Sequence, residues 1–270
     1  MIITDNEHAD LSTPHGPMRT YVFRPAGPGM ERKYPGIVLF SEIFQVTGPI
    51  LRTAAVLAGH GFVVAVPEVF HELEAAPGVV IPYDQAGADR GNAHKINKEL
   101  ASYDADARAA LDFLKGHAAC NGRVATMGIC IGGHLAFRAA MNPDVEAAVC
   151  FYATDIHKRS LGKGMKDNSL DRIREIRGEL LMIWGRQDPH VPREGRRIIY
   201  DALTDANVNF TWHEFNGQHA FLRDEGHRYD PELARVCYGL AIDLLRRTMI
   251  GTPARQSQSA GTGGPVVTSH

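Results

Sequence analysis

Residues 127–134 read MGICIGGH, and Gly128 and Gly132 bracket Cys130 in the G-x-C-x-G form of a strand-to-helix turn that displays one nucleophile. Small residues on either side keep the backbone of such a turn free of clashes. A helix starting directly after it favours a thiolate at its positive end, and its free amides, that of Ile131 first, can bind a developing oxyanion. The same glycines would also suit a buried cysteine that only lets a helix lie close to a strand. A hydrolytic thiol needs a base, usually histidine, and a group that orients the base. Asp188 in RQDPHVP and His219 in NGQHAF each follow an apolar run, in the chain order nucleophile, acid, histidine. Alone, Asp188 reads as a turn aspartate and His219 as one loop histidine among thirteen. Together, at the ends of successive strands, they read as an oriented base.

These positions depend on elements that the apolar pattern must supply. Strands are expected at about 21–24, 36–42, 62–70 (with Pro67 stopping the ladder), 123–129, 145–153, 178–185 and 209–215. Helices are expected at about 49–58, 102–115, 132–141, 193–206 and 231–250. The polar stretch that starts at His71 and runs to about residue 100 is too long for a simple connection, so it is either a lid-like excursion or a helical insertion. Strands alternating with helices predict an α/β fold with a mostly parallel sheet covered on both faces. One domain is expected over 1–250, followed by a Gly-, Ser- and Thr-rich tail over 251–270.

Composition narrows the function classes. The 270 residues are 44% hydrophobic and 22% charged, enough for a substantial core without metal or disulfide staples. A net charge of −2 without blocks of like charge gives no reason to expect nucleic acid or an anionic membrane as partner. No apolar run approaches a bilayer span and no leader precedes the first strand, so a cytoplasmic protein is expected. Cys120, Cys130, Cys150 and Cys237 lack C-x-x-C spacing, which suits reduced thiols rather than disulfides or zinc. Neither metal-ligand spacing nor a nucleotide-binding glycine loop is present, and no cofactor is expected.

Three motifs make the chain, from about Tyr21 to Ile250, resemble the dienelactone hydrolases (carboxymethylenebutenolidases) of the α/β-hydrolase superfamily. MGICIGGH is similar to that family's cysteine elbow, SEIFQVTG (41–48) to its glutamate motif after the third strand, and QHAFLR (218–223) to its histidine loop. The resemblance implies an α/β-hydrolase fold with Cys130, Asp188 and His219 as triad. Ile43 would then supply the second oxyanion amide, and Glu42 would hold the resting thiol and shift on substrate binding to help deprotonate it. Read from its residues alone, Glu42 is either a partnered buried carboxylate or a surface strand-end acid. Arg223 matches an arginine that holds the substrate carboxylate, a role that a guanidinium fork suits. Arg90, the insertion's one arginine, is a weak match to a second such arginine.

The implied function is cysteine-dependent hydrolysis of an ester or lactone, carboxylate-bearing in the family's pattern, through a thioester acyl-enzyme. Two alternatives stand beside it: a general carboxylesterase or thioesterase on the same scaffold, and a non-catalytic ligand binder or redox sensor. Physiological substrate and oligomeric state are not set by the sequence.

Overall fold

Strand β3 (Tyr34–Phe40) is buried along its whole length, and its side chains alternate between two separate cores. Ile37 and Leu39 pack on one face with Leu57 of helix α1 (Gly48–Gly59) and Leu244 of helix α6 (Pro231–Arg246). Val38 and Phe40 pack on the other face with Leu111 of helix α3 (Leu100–Gly116) and Leu135 of helix α4 (Ile131–Ala139). Each such side chain contributes about 1.5–3 kcal/mol when fully buried, which explains why unbroken apolar runs form the sheet's centre. These relationships come from a computed structural model that describes residues 2–27 and 32–251.

Eight strands form one sheet in the order β1-β2-β4-β3-β5-β6-β7-β8. β1 (Ile2–Thr13) and β2 (Gly16–Ala26) make an antiparallel pair, and β2 also runs antiparallel to β4 (Val63–Pro67). From β4 onward the neighbours are parallel: β3, β5 (Cys120–Ile129), β6 (Val145–Phe151), β7 (Glu179–Gly185) and β8 (Phe210–Phe215). The fold is of the α/β-hydrolase type.

Several expectations shift. β1 has no fully buried side chain among those described, so it carries no apolar pattern, and it is held instead by pairing with β2. β4 ends at Pro67, where the ladder is expected to stop because proline cannot extend it, and Val69 and Phe70 beyond it are buried in the core. The 71–100 stretch is a helical insertion: turns lead into helix α2 (Gln85–Asn97), whose amino end is capped by Asp84 accepting from the Gly87 amide. Helix α5 (Arg193–Asp205) lies where expected, and α6 continues into a wider turn over Arg247–Gly251. The expected tail lies, from residue 252 on, outside the described residues.

Candidate active site

Cys130 sits between β5 and α4 with φ 63° and ψ −121°, a conformation that costs a non-glycine residue about 1–3 kcal/mol. Neighbouring strands hold it there. The Cys130 amide donates to the Phe151 carbonyl at 3.1 Å, and the Cys130 carbonyl accepts from Gly133 at 3.0 Å and Thr154 at 3.3 Å. A Cβ on Gly128 would overlap the Gly132 carbonyl, and one on Gly132 would overlap the carbonyls of Phe40 and Ser41. The bracketing glycines therefore serve close backbone approach at both ends of the turn.

Asp188 and His219 follow β7 and β8 at the sheet's carboxyl edge. Their loops are tied together by Arg186 N donating to Phe215 O at 2.7 Å and Gln187 N to Gly217 O at 3.0 Å. Asp188 Oδ2 accepts from His219 Nδ1 at 2.7 Å, and its Oδ1 accepts from the His190 amide at 2.8 Å. With Nδ1 so engaged, Nε2 is the nitrogen free to serve Cys130. Burial opposes a charge on Asp188, yet the His219 and His190 contacts outweigh it and hold the carboxyl below its ordinary range. Burial also opposes an imidazolium at His219, but the charge Cys130 can carry and the Asp188 bond push the ring up to about 10. The His190 ring packs against His219 at 4.5 Å between centroids, and burial keeps His190 below its usual value.

Glu42 is 2% exposed, which decides between the two readings of it: the carboxylate is buried and partnered. Its partners are Tyr83, which donates at 3.3 Å, and Arg223, whose Nη1 lies 3.8 Å away. Thr47 in turn donates to Tyr83 at 2.6 Å. Burial raises the Glu42 carboxyl, opposed by Arg223 and His219. Glu42 and Cys130 line the same cavity, and the charge-assisted contacts of the carboxylate run to Tyr83 and Arg223. Arg223 is fixed over the Tyr83 ring at 4.2 Å and donates from Nε to the Glu225 carbonyl at 3.1 Å.

Cys130, His219, Glu42, Ile43 and Arg223 line one cavity of about 690 Å³. Among the described residues, the amides of Ile43 and Ile131 have no hydrogen-bond acceptor. Arg90 is not at the cavity; its guanidinium pairs with Glu74. The cationic α2 residue that lines the cavity is Lys95, bound to Asp155 at 2.9 Å. Arg90 lies about 140° around the helix from Lys95, on a different face. Sequence reasoning also missed Tyr83, His190 and Gly91, where an added Cβ would overlap the Ile43 carbonyl. The glycine's signal was its place in a polar helix, where glycine is disfavoured unless something packs close.

Comparison with known proteins agrees with this geometry. The sequence profile of the dienelactone hydrolase family matches residues 18–249. A Saccharomyces cerevisiae protein named as a candidate carboxymethylenebutenolidase is 41% identical over 258 residues, covering 92% of this chain and 93% of its own. The carboxymethylenebutenolidase of Pseudomonas sp. (strain P51) is 28% identical, with 81% and 87% covered. In fold, the chain is similar to the crystal structure of a candidate dienelactone hydrolase from Klebsiella pneumoniae, with a TM-score of 0.75 at 20% identity, over 92% of this chain and all of that one. A cysteine elbow, a histidine loop and a buried glutamate gathered at one sheet edge, together with a profile match over most of the length, place the chain in the dienelactone hydrolase family.

Proposed function

We propose that the protein is a cysteine hydrolase of carboxylic esters or lactones that works through a thioester. Cys130 Sγ attacks the carbonyl carbon, and the amides of Ile131 and Ile43 hold the oxyanion. His219 Nε2 gives its proton to the departing alkoxide, then takes one from the water that cleaves the thioester, while Asp188 keeps the ring's tautomer and orientation. Arg223 receives a substrate carboxylate. That contact would draw the guanidinium's charge from Glu42 and free the glutamate to move toward the thiol, which is how a carboxylate-bearing substrate would activate its own nucleophile.

The observation that carries this reading is the bond between Asp188 and His219 at 2.7 Å, directed so that the second ring nitrogen serves a cysteine displayed at φ 63°. The size of the cavity, about 690 Å³, favours keeping a broader carboxylesterase beside a strict lactonase, because sites of that size enclose ligands well beyond a small ring. Among the described residues no helix is long and apolar enough to cross a membrane, which agrees with a cytoplasmic location as part of the proposal. The test is a panel of dienelactone, aryl esters and thioesters with Cys130→Ala and Cys130→Ser. Abolished turnover in Cys130→Ala supports the reading; full turnover removes the nucleophile, and a redox-sensor role for Cys130 would then gain.

A further inference from the structure

Charges around the cavity do not balance locally. Four cationic side chains line it, Lys95, Lys158, Arg223 and Arg228. Lys95 is spent on Asp155 at 2.9 Å, and Asp155 is itself completed by Ser160 at 3.0 Å. Arg223 faces Glu42 at 3.8 Å. Of the remaining acids on the wall, Glu225 binds Arg52 at 3.0 Å and Asp84 caps α2. Among the described residues, Lys158 and Arg228 have no ion-pair partner. Lys158 is exposed on the loop after β6, and Arg228 is half-buried on the loop that carries His219.

Both cations line the same cavity as His190, the ring that packs on His219. Burial and His219 do most to lower the proton affinity of His190, and Arg228 and Lys158 add to it. Two cationic side chains without an ion-pair partner among the described residues, lining a cavity beside an imidazole, can receive an anion. This receptor is separate from Arg223, whose charge is already shared with Glu42 and whose guanidinium is fixed over Tyr83.

We propose that Lys158 and Arg228 form a second anion subsite, so that the favoured substrate is an ester or lactone bearing two anionic groups. One group would meet Arg223 and the other the Lys158 and Arg228 pair, with the scissile carbonyl over Cys130. This inference rests on the hydrolase reading for its substrate, but the subsite can be measured without turnover.

Calorimetric titration of the full chain with butyrate, glutarate and propane-1,2,3-tricarboxylate counts the anionic groups the cavity accepts. Glutarate, with two carboxylates, is expected to bind about tenfold tighter than butyrate, the scale of one added charge-assisted contact, with the advantage shrinking as salt rises and the third carboxylate of the tricarboxylate adding little. In Lys158→Met and Arg228→Met that ratio should fall toward one. In kcat/KM the 4-nitrophenyl monoester of the tricarboxylate, with two free carboxylates, should exceed that of glutarate, with one, by a similar factor. Equal affinity for butyrate and glutarate in the wild type, or a ratio that neither substitution moves, overturns the subsite. Hydrolysis persisting in Cys130→Ala, by contrast, would overturn the nucleophile while leaving the binding ratios to stand or fall alone.

Discussion

Asp188 and His219 share a buried hydrogen bond of 2.7 Å that joins the loops after two adjacent strands. Its removal should be costly in rate and modest in binding. Asp188→Asn keeps the shape but offers an amide that can favour the wrong ring tautomer. Steady-state kinetics on an aryl ester should show kcat reduced on the order of 10³-fold with KM changed by less than about threefold. A kcat within threefold of wild type would mean that the ring needs no orientation.

The raised proton affinity of His219 is open to direct reading. With the ring pushed up to about 10, it should remain an imidazolium through neutral pH. A histidine ring titration followed by NMR should find one resonance still protonated at pH 8, a unit and a half above the ordinary value of about 6.5. In Cys130→Ala the sulfur that helps raise the ring is gone, so the midpoint should drop. A His219 resonance that titrates near 6.5 in the wild type would contradict the coupling.

Gly91 ties the insertion to the loop that carries Ile43. Gly91→Ala places a methyl group against the Ile43 carbonyl, so either α2 or the loop must shift. Overpacking of this kind costs about 1–3 kcal/mol, and here it should also lower kcat by displacing the Ile43 amide. Thermal denaturation together with kcat reads both effects; wild-type kcat would show that α2 yields and the loop does not.

The elbow, the acid and the base were legible because each is a short motif at the end of an apolar strand, and the parallel sheet brings such ends together without further information. The insertion was not. Helix α2 buries only Gly87 and Gly91, so it has no apolar stripe from which to read its orientation. What orients it are ion pairs and a backbone contact: Arg90 with Glu74, Lys95 with Asp155, and Gly91 on Ile43. For that reason nothing in the sequence sets Arg90 off the cavity or Lys95 and Tyr83 on it. Strand β1 escaped for the same cause, since edge pairing leaves no hydrophobic signature. Glu42 was found by motif, but its partners Tyr83 and Arg223 come from 41 residues and more along the chain.

A second buried network, beneath the active-site helix, should show its own pH dependence. Asp167 accepts from Ser169 at 2.7 Å and Arg138 at 2.9 Å, and His134 bonds Ser169 at 2.8 Å. Burial opposes the Asp167 charge, but His134, Ser169 and Arg138 outweigh it and lower the carboxyl to about 2. A carboxyl with a depressed folded value stabilises the fold above its unfolded value, near 4, and loses that contribution as pH falls through the folded value. Asp167→Asn should therefore cost about 2 kcal/mol at pH 7, with the difference from wild type shrinking between pH 4 and about 2. Urea unfolding at several pH values reads this, and a difference independent of pH would mean that the contribution is packing and not charge.

Arg223 separates a lactone-type specificity from a general esterase. Arg223→Ala should lower kcat/KM for a carboxylate-bearing lactone at least about tenfold while a neutral aryl ester loses far less. Equal losses on both would count against a carboxylate clamp.

The central claim is that Cys130 carries the acyl group. The most direct measurement is rapid acid quenching of the wild-type enzyme during turnover of an aryl ester, followed by peptide mass spectrometry. An acyl mass is expected on the peptide containing Cys130, absent in Cys130→Ala. An acyl adduct on another residue, or rapid turnover with Cys130 never modified, would contradict it.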